Sequence, residues 1–400
     1  MSWELIRDIL ITTVPLLVIF PSLFAFTTWI ERKALARIQN RIGPNKTGVP
    51  CTRISLFGLG QPAADGIKML FKEDIVPKGA DRLFHLLAPI VALIPAMLVL
   101  CFLPLEFPWA KFVQAPVQAF LLDGAVIFFF AITGLNTLAV FMAGWASRNK
   151  YSLLGGMRAI AQMVSYEIPL VLSAVVAVMA AGSLNAAELV ESQKTFWFVF
   201  TPWGFAAFVI FFIAALAETN RSPFDLPEAE SELIAGYFTE YSGFKFALFF
   251  LGEYIAMFAI SGLAVVLFLG GGHLPFLPLE NAWLSSAVFL TKIMGIIAVM
   301  IWLRGTLPRL RVDQLMAFAW KFLLPLSILN IFITGASIKL MAGSTTYTQP
   351  GMFGKLIQDA TLPTLALLWL GGIAILYGAA WWLDNLSRPT ARPRQYQYAE

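Results

Sequence analysis

A series of long apolar stretches constrains this chain most, each near the ~20 residues that an α-helix needs to cross a bilayer. They fall at about 9–30, 82–103, 121–143, 158–182, 196–217, 244–268, 284–304, 316–340 and 361–384. Apolar residues make up 58% of the 400 residues, charged residues only 13%, and the mean hydropathy is +0.75. A soluble domain carries about twice that charged fraction. The stretches are too long and continuous for barrel strands, so hydrocarbon leaves the helix as the backbone solution. The expected fold is an all-α polytopic membrane protein, a bundle of about nine transmembrane helices. No internal repeat is visible, which counts against a transporter built on inverted repeats.

Most of the 28 Lys and Arg residues fall in the loops after the first, third, fifth and seventh stretches and in the tail. The positive-inside rule puts loops 31–81, 144–157, 218–243 and 305–315 in the cytoplasm and the N-terminus outside. For Arg309 and Arg311 this orienting role is the first reading. Glu31-Arg32-Lys33 follows the first stretch directly, with no small-residue cleavage site, so that stretch reads as an anchor. The pI near 9.0 does not point to nucleic acid, because the basic residues lie in loops rather than one patch.

Much chemistry is excluded. Cys51 and Cys101 cannot hold an iron–sulfur cluster. His85 and His273 lie at opposite ends of the expected bundle and cannot share a metal or haem. No phosphate-binding glycine motif occurs, and Gly58-Leu59-Gly60 leads nowhere. Gly270–Gly272 open a short outer loop and read as structural. If the chain serves a redox or ATP-driven process, the cofactors sit on other subunits.

Residues 218–241 carry Glu218, Asp225, Glu228, Glu230, Glu232 and Glu240 against Arg221 alone. Pro223 and Pro227 stiffen this acidic loop, and Phe224, Leu226, Leu233, Ile234, Tyr237 and Phe238 give it an apolar face. A merely solvated loop needs neither, so the segment is expected to be folded and functional.

Ionisable groups also lie inside the stretches. Glu167 and Glu253 each sit nine residues into a helix that starts on the cytoplasmic side, roughly 13 Å deep. Lys321 comes out at about 8 Å and Lys292 at about 18 Å, which places all four in the cytoplasmic half. Such groups are costly in hydrocarbon and by default mark a functional interior. A carboxylate raised in pKa by burial and tuned by a lysine can exchange protons. A path from the acidic loop through Glu218, Glu167 and Glu253 fits this geometry. The competing reading is a set of fixed ion pairs that lock helices together.

Residues 61–72 form a short amphipathic segment, with Ile67, Leu70 and Phe71 on one face and Asp65, Lys68 and Lys72 on another. Pro62 suits a first helical turn. About three turns cannot span, so this helix is expected in the membrane interface, as a site element or as a plain connector.

Several motifs, in order, carry a resemblance: Ile-Glu-Arg-Lys at 30–33, Arg-Ile-Gly-Pro-Asn at 41–45, Gln-Pro-Ala-Ala-Asp-Gly-Ile-Lys at 61–68 and Phe-Lys-Glu-Asp at 71–74. Ser-Tyr-Glu at 165–167, the acidic loop, Gly-Glu-Tyr at 252–254 and Arg-Val-Asp-Gln-Leu at 311–315 follow. Their order and spacing over about residues 10–340 resemble the H subunit of bacterial respiratory complex I, equivalent to mitochondrial subunit 1. The resemblance implies a bacterial cell (inner) membrane subunit of a proton-translocating NADH:quinone oxidoreductase. The hydrophilic arm would dock on its cytoplasmic loops and complete a quinone cavity. Glu31, Arg32, Asp65, Glu228, Glu230, Glu232 and Arg304 match positions that line that cavity. Glu218, Glu167 and Glu253 match the first carboxylates of the proton relay.

The resemblance also implies a quinone, ubiquinone or menaquinone, as substrate. FMN, iron–sulfur clusters and the NAD site would lie on partner subunits, beside neighbouring membrane-arm subunits. Some relatives carry an acid in the third helix; here Asn136 stands in that stretch and cannot take up a proton. Residues 1–340 form the expected family domain. Residues 341–400 form a C-terminal extension with a ninth helix and Arg388, Arg392 and Arg394 behind it. Two rival readings remain: the equivalent membrane subunit of a membrane-bound hydrogenase, and a stand-alone ion transporter.

Overall fold

The computed structural model describes residues 3–48, 55, 57–104, 122–194, 196–225, 235–275, 281–342 and 362–387. Among these, the regular structure is helical throughout. Six helices are long and apolar enough to cross a membrane, and two shorter apolar ones accompany them.

Helix α1, Trp3–Ile38, has 36 residues, about 54 Å of helix against a hydrocarbon core of ~30 Å. It therefore carries Glu31, Arg32 and Arg37 out past the bilayer core. α2, Gln61–Phe71, is the amphipathic segment, with proline in its first turn and no buried residue. Ile67, Leu70 and Phe71 are exposed, so its apolar face is not covered by this chain. That is the form expected of a helix lying in the interface.

α3, Arg82–Leu100, begins where Asp81 accepts from the Leu83 amide at 3.3 Å. The third stretch is nearly continuous but splits at Gly134 into α4, Ala125–Thr133, and α5, Leu135–Ala146. α6, Lys150–Ala181, starts eight residues earlier than expected, because Asn149 caps the Tyr151 amide at 3.0 Å. Much of the basic loop at 144–158 is thus helix. The short α7, Ala186–Ser192, precedes α8, Pro202–Glu218. α8 starts six residues later than expected, where Thr201 caps Gly204 at 3.1 Å and Pro202 opens the first turn.

α9, Gly243–Phe268, is the most enclosed of the six, and its second half is buried on every side. α10 is Ala282–Thr306. α11, Val312–Phe318, runs through a π turn at Ala319–Leu323 into α12, Leu324–Ala342. α13, Leu362–Ser387, closes the chain.

Small residues let these helices approach. Lipid is as apolar as leucine, so close van der Waals contact and interhelical hydrogen bonds do the work that hydrophobic burial does in water. Ala174, Ala177 and Ala180 on α6 and Ala207, Ala214 and Ala217 on α8 are all buried. A Cβ on Gly155 would lie 2.7 Å from the Gly236 Cα, so the acidic loop's far end packs directly on the α6 backbone. Tyr166 donates to the Leu315 carbonyl at 2.9 Å, and Asn330 to that of Trp203 at 3.0 Å.

Helix ends meet on two sides. On one, the Asp81 amide bonds the Ala146 carbonyl, and Ser152 bonds that of Tyr237. On the other, the Val126 amide bonds the Leu184 carbonyl, and Gln193 bonds that of Val266 at 2.8 Å. The acidic loop belongs to the first side.

Candidate functional site

Polar side chains converge on the acidic-loop side. Glu31, at the inner reach of α1, is 4% exposed. Arg304, in the last turn of α10, donates to its Oε1, and Arg221 reaches the same oxygen at 3.3 Å. Tyr254 on α9 donates to Oε2 at 2.5 Å. The Arg221 guanidinium also lies 4.0 Å from the Tyr254 ring centroid, a cation–π contact. One carboxylate thus ties α1, α9, α10 and the acidic loop together. Its two guanidiniums exceed its charge, and Nε and Nη2 of the buried Arg221 have no partner among the described residues.

The next residue along α1 extends the cluster. Arg32 pairs with Asp65 of α2 at 2.6 Å, and Gln61 donates to the same carboxylate at 3.2 Å. Both partners of this pair are partly exposed, so it contributes little stability. Glu31 thus meets Arg304, and Arg32 meets Asp65, as two ion pairs on adjacent residues of α1. Glu228, Glu230 and Glu232 lie outside the described residues.

The loop is held at both of its described ends. Gln162 on α6 donates to the carbonyls of Ala217 at 2.7 Å and Phe224 at 2.6 Å. Arg309 pairs with the buried Asp225 at 3.0 Å. Arg309 thus does more than satisfy the orientation rule. At the other end Asn149 donates to Glu240 at 2.7 Å, and Tyr241 stacks on His85 with centroids 4.1 Å apart. Phe224, Tyr237 and Phe238 are buried, as their pattern predicts.

Three carboxylates lead away from the cluster. Glu253, one residue before Tyr254, accepts from Tyr237 at 3.1 Å and lies within electrostatic reach of Arg221. Glu218 ends α8, is 5% exposed, and has an Oε2 without a partner. Glu167 is within electrostatic reach of Glu218, and neither has an ion-pair partner among the described residues. A cavity of about 20 Å³ separates Glu218 from Asn136, bounded also by Thr133 and Gly252. That volume holds about one water. At Gly134 a Cβ would lie 3.2 Å from Glu167 Oε1, so this glycine lets the carboxylate press against the α4–α5 junction.

Two expectations are corrected. Lys292 is not in the acidic-loop half. Its ammonium donates to the carbonyls of Leu269, Gly271 and His273 at 2.7, 2.8 and 2.7 Å, and it lies 4.1 Å from the Trp197 ring centroid. The count of about 18 Å already lies past the middle of a ~30 Å core, and loop 269–273, with positive φ at Gly270 and Gly271, brings its carbonyls to the ammonium. Lys321 is exposed on the π turn and pairs with no carboxylate among the described residues. Glu167 and Glu253 also do not sit equally far along their helices. The early α6 start puts Glu167 roughly 25 Å from its first residue, against about 15 Å for Glu253 in α9.

Sequence reasoning assigns no site role to Arg221, Tyr237 or Tyr254. The signals are present: Arg221 is the lone cation of an acidic segment, Tyr237 belongs to that segment, and Tyr254 follows Glu253 directly.

A family model described as NADH dehydrogenase matches residues 11–335. Over 315 residues the chain is 50% identical to the H subunit of the NADH-quinone oxidoreductase of Geobacillus kaustophilus, covering 78% of this chain and 89% of that one. It is 48% identical over 321 residues to the protein of the same name from Geobacillus thermodenitrificans, covering 80% and 91%. Over 309 residues it is 48% identical to the equally named protein of Bacillus mycoides, covering 76% and 86%.

Proposed function

The chain belongs to the NADH dehydrogenase family, and from that premise we propose that it is the H subunit of an NADH-quinone oxidoreductase that frames the quinone cavity and starts the proton relay. Glu31 carries this reading. A buried carboxylate that joins four elements, continues through Arg32 to the amphipathic α2, and leaves guanidinium donors free suits a polar cavity wall for a neutral quinone head. Glu31, Arg32, Asp65 and Arg304 line it from this chain, and Glu228, Glu230 and Glu232 belong to the loop that faces it. The chain supplies no electron carrier. NADH oxidation, FMN and iron–sulfur clusters fall to partner subunits docked on the cytoplasmic loops, with the N-terminus outside.

Quinone reduction consumes protons and changes charge in that cavity. The relay role falls to Glu253, Glu218 and Glu167, with a water in the cavity beside Asn136 standing where an acid would otherwise sit. The unpaired state of Glu218 and Glu167 supports exchange over fixed ion pairing. The names of the relatives favour this assembly over a hydrogenase, and the family favours it over a solitary transporter.

Gly66 tests the cavity. It lies on α2 beside Asp65, and a Cβ there meets nothing within 4 Å, so a bulky residue is tolerated by the fold. In assembled complex, Gly66→Phe is expected to slow reduction of a long-tailed quinone several-fold more than that of a short-tailed analogue. Equal rates with both, or equal losses, would reduce α2 to a surface connector.

A further inference from the structure

The quinone and relay readings leave two features unused: Lys321 and the C-terminal helix α13. The structure brings them together. The π turn places Lys321 toward α13, and the two elements enclose a groove of about 530 Å³. Its walls include Phe318, Phe322, Tyr377 and Trp381, with Gln314 at one end. Phe318 and Phe322 stack with centroids 5.4 Å apart, while Tyr377 and Trp381 are 74% and 61% exposed. The Lys321 ammonium has no hydrogen-bond or ion-pair partner among the described residues.

A lysine on a membrane helix needs an anion or water at its head while its stem lies on apolar surface. Here no carboxylate among the described residues is paired with it, and the walls around it are aromatic. The volume limits the occupant. A spanning helix ~30 Å long and ~10 Å wide displaces more than roughly 2,000 Å³, so it would lie across the groove and not fill it. An acyl chain fits, and tyrosine and tryptophan beside it are the side chains that favour the headgroup level. A quinone has the tail but not the charge that Lys321 calls for.

We propose that this groove binds one anionic phospholipid, its phosphate on Lys321 and an acyl chain along Phe318, Phe322, Tyr377 and Trp381. The lipid then bridges the π turn and α13. Basic sites between helices that take lipid headgroups work in this way. The groove lies on α11 to α13, whereas the quinone mouth lies on α1 and α2, so the two sites are separate.

The test uses the intact complex in phosphatidylcholine vesicles that contain phosphatidylglycerol with a photoactivatable acyl chain. Crosslinks are expected on the peptides holding Phe318, Phe322 and Trp381. Removing one attractive charge near an anionic headgroup is worth about a fivefold change in occupancy, and reversal more, so Lys321→Glu should cut labelling at least about fivefold. Lys321→Arg should keep it. Assembly, read on a native gel, should not change, because Lys321 loses no partner. If Lys321→Glu does deplete the complex, Lys321→Gln carries the same comparison, with an intermediate loss expected. Equal labelling by a photoactivatable phosphatidylcholine, labelling indifferent to the charge at 321, displacement by a long-tailed quinone, or a neighbouring polypeptide crosslinked in the groove would each overturn the proposal.

Discussion

Glu31 and Glu218 are buried almost equally, 4% and 5% exposed, on the same side of the bundle, yet their surroundings are opposite. Glu31 has two guanidiniums and a phenol on its oxygens. Glu218 has a water-sized cavity, another carboxylate nearby and no cation paired with it among the described residues. A carboxylate clamped by two arginines cannot easily give up its negative charge, because protonation would weaken its bonds to both guanidiniums. A carboxylate with no paired cation among the described residues and a water-sized cavity beside it has no such clamp. Equal burial therefore goes with two arrangements: the first fixes the geometry of the polar cluster, and the second suits the proton exchange proposed above.

Substitutions can break this comparison. The largest effect is expected at Glu31. Glu31→Gln takes the shared carboxylate away from Arg221 and Arg304, and breaking a buried pair costs about 3–5 kcal/mol. Assembled complex should be strongly depleted on a native gel; normal abundance would show that the pairing carries no structural weight.

Lys292 provides the matching case on the opposite side. Lys292→Met removes three bonds to carbonyls that then lie unsatisfied, and charge-assisted bonds are worth roughly 1.5–3 kcal/mol each before relaxation. A fall in thermal midpoint with unchanged turnover at low temperature is expected, and lost pumping in a stable complex would instead give Lys292 a part in the relay.

At Glu218 the expected loss is in rate alone. Glu218→Gln leaves no cation stranded, so the complex should assemble, with quinone reduction and pumping both down by about tenfold or more, as for a removed proton-transfer group. Glu167→Gln should behave alike. Depletion of either variant with normal turnover per complex would return these residues to a structural role. Arg309→Gln takes the paired cation from the buried Asp225, while Arg309 itself is partly exposed. A cost at or below the ~3 kcal/mol low end for a broken buried pair is expected, seen as a fall in midpoint with turnover per assembled complex unchanged.

Part of this contrast is legible in the sequence. Glu218, Glu167 and Glu253 stand out because a charge in an apolar stretch is rare and costly. Each of the nine apolar stretches holds helix among its described residues. The starts of α6 and α8 differ from the hydropathy limits by several residues because caps set helix ends: Asn149 and Thr201 each offer an oxygen to a free amide. Lys292 and Lys321 differ from expectation for a related reason. Counting residues along a helix gives distance from its end, but neither the direction of a side chain nor the path of a loop that folds back.

Apolar run length and charge placement determined, from sequence alone, that this chain is a membrane bundle with an acidic loop and sparse interior carboxylates. Those are properties of composition along one dimension, and the bilayer turns them directly into helices. Partnership was decided only in the tertiary structure. Glu31 and Arg304 are separated by most of the chain, and whether a buried acid is clamped or free depends on which helices close around it. That closure follows from small residues such as Gly155, where a backbone approaches, and Gly134, where the Glu167 carboxylate does, and no linear pattern specifies the neighbour that approaches.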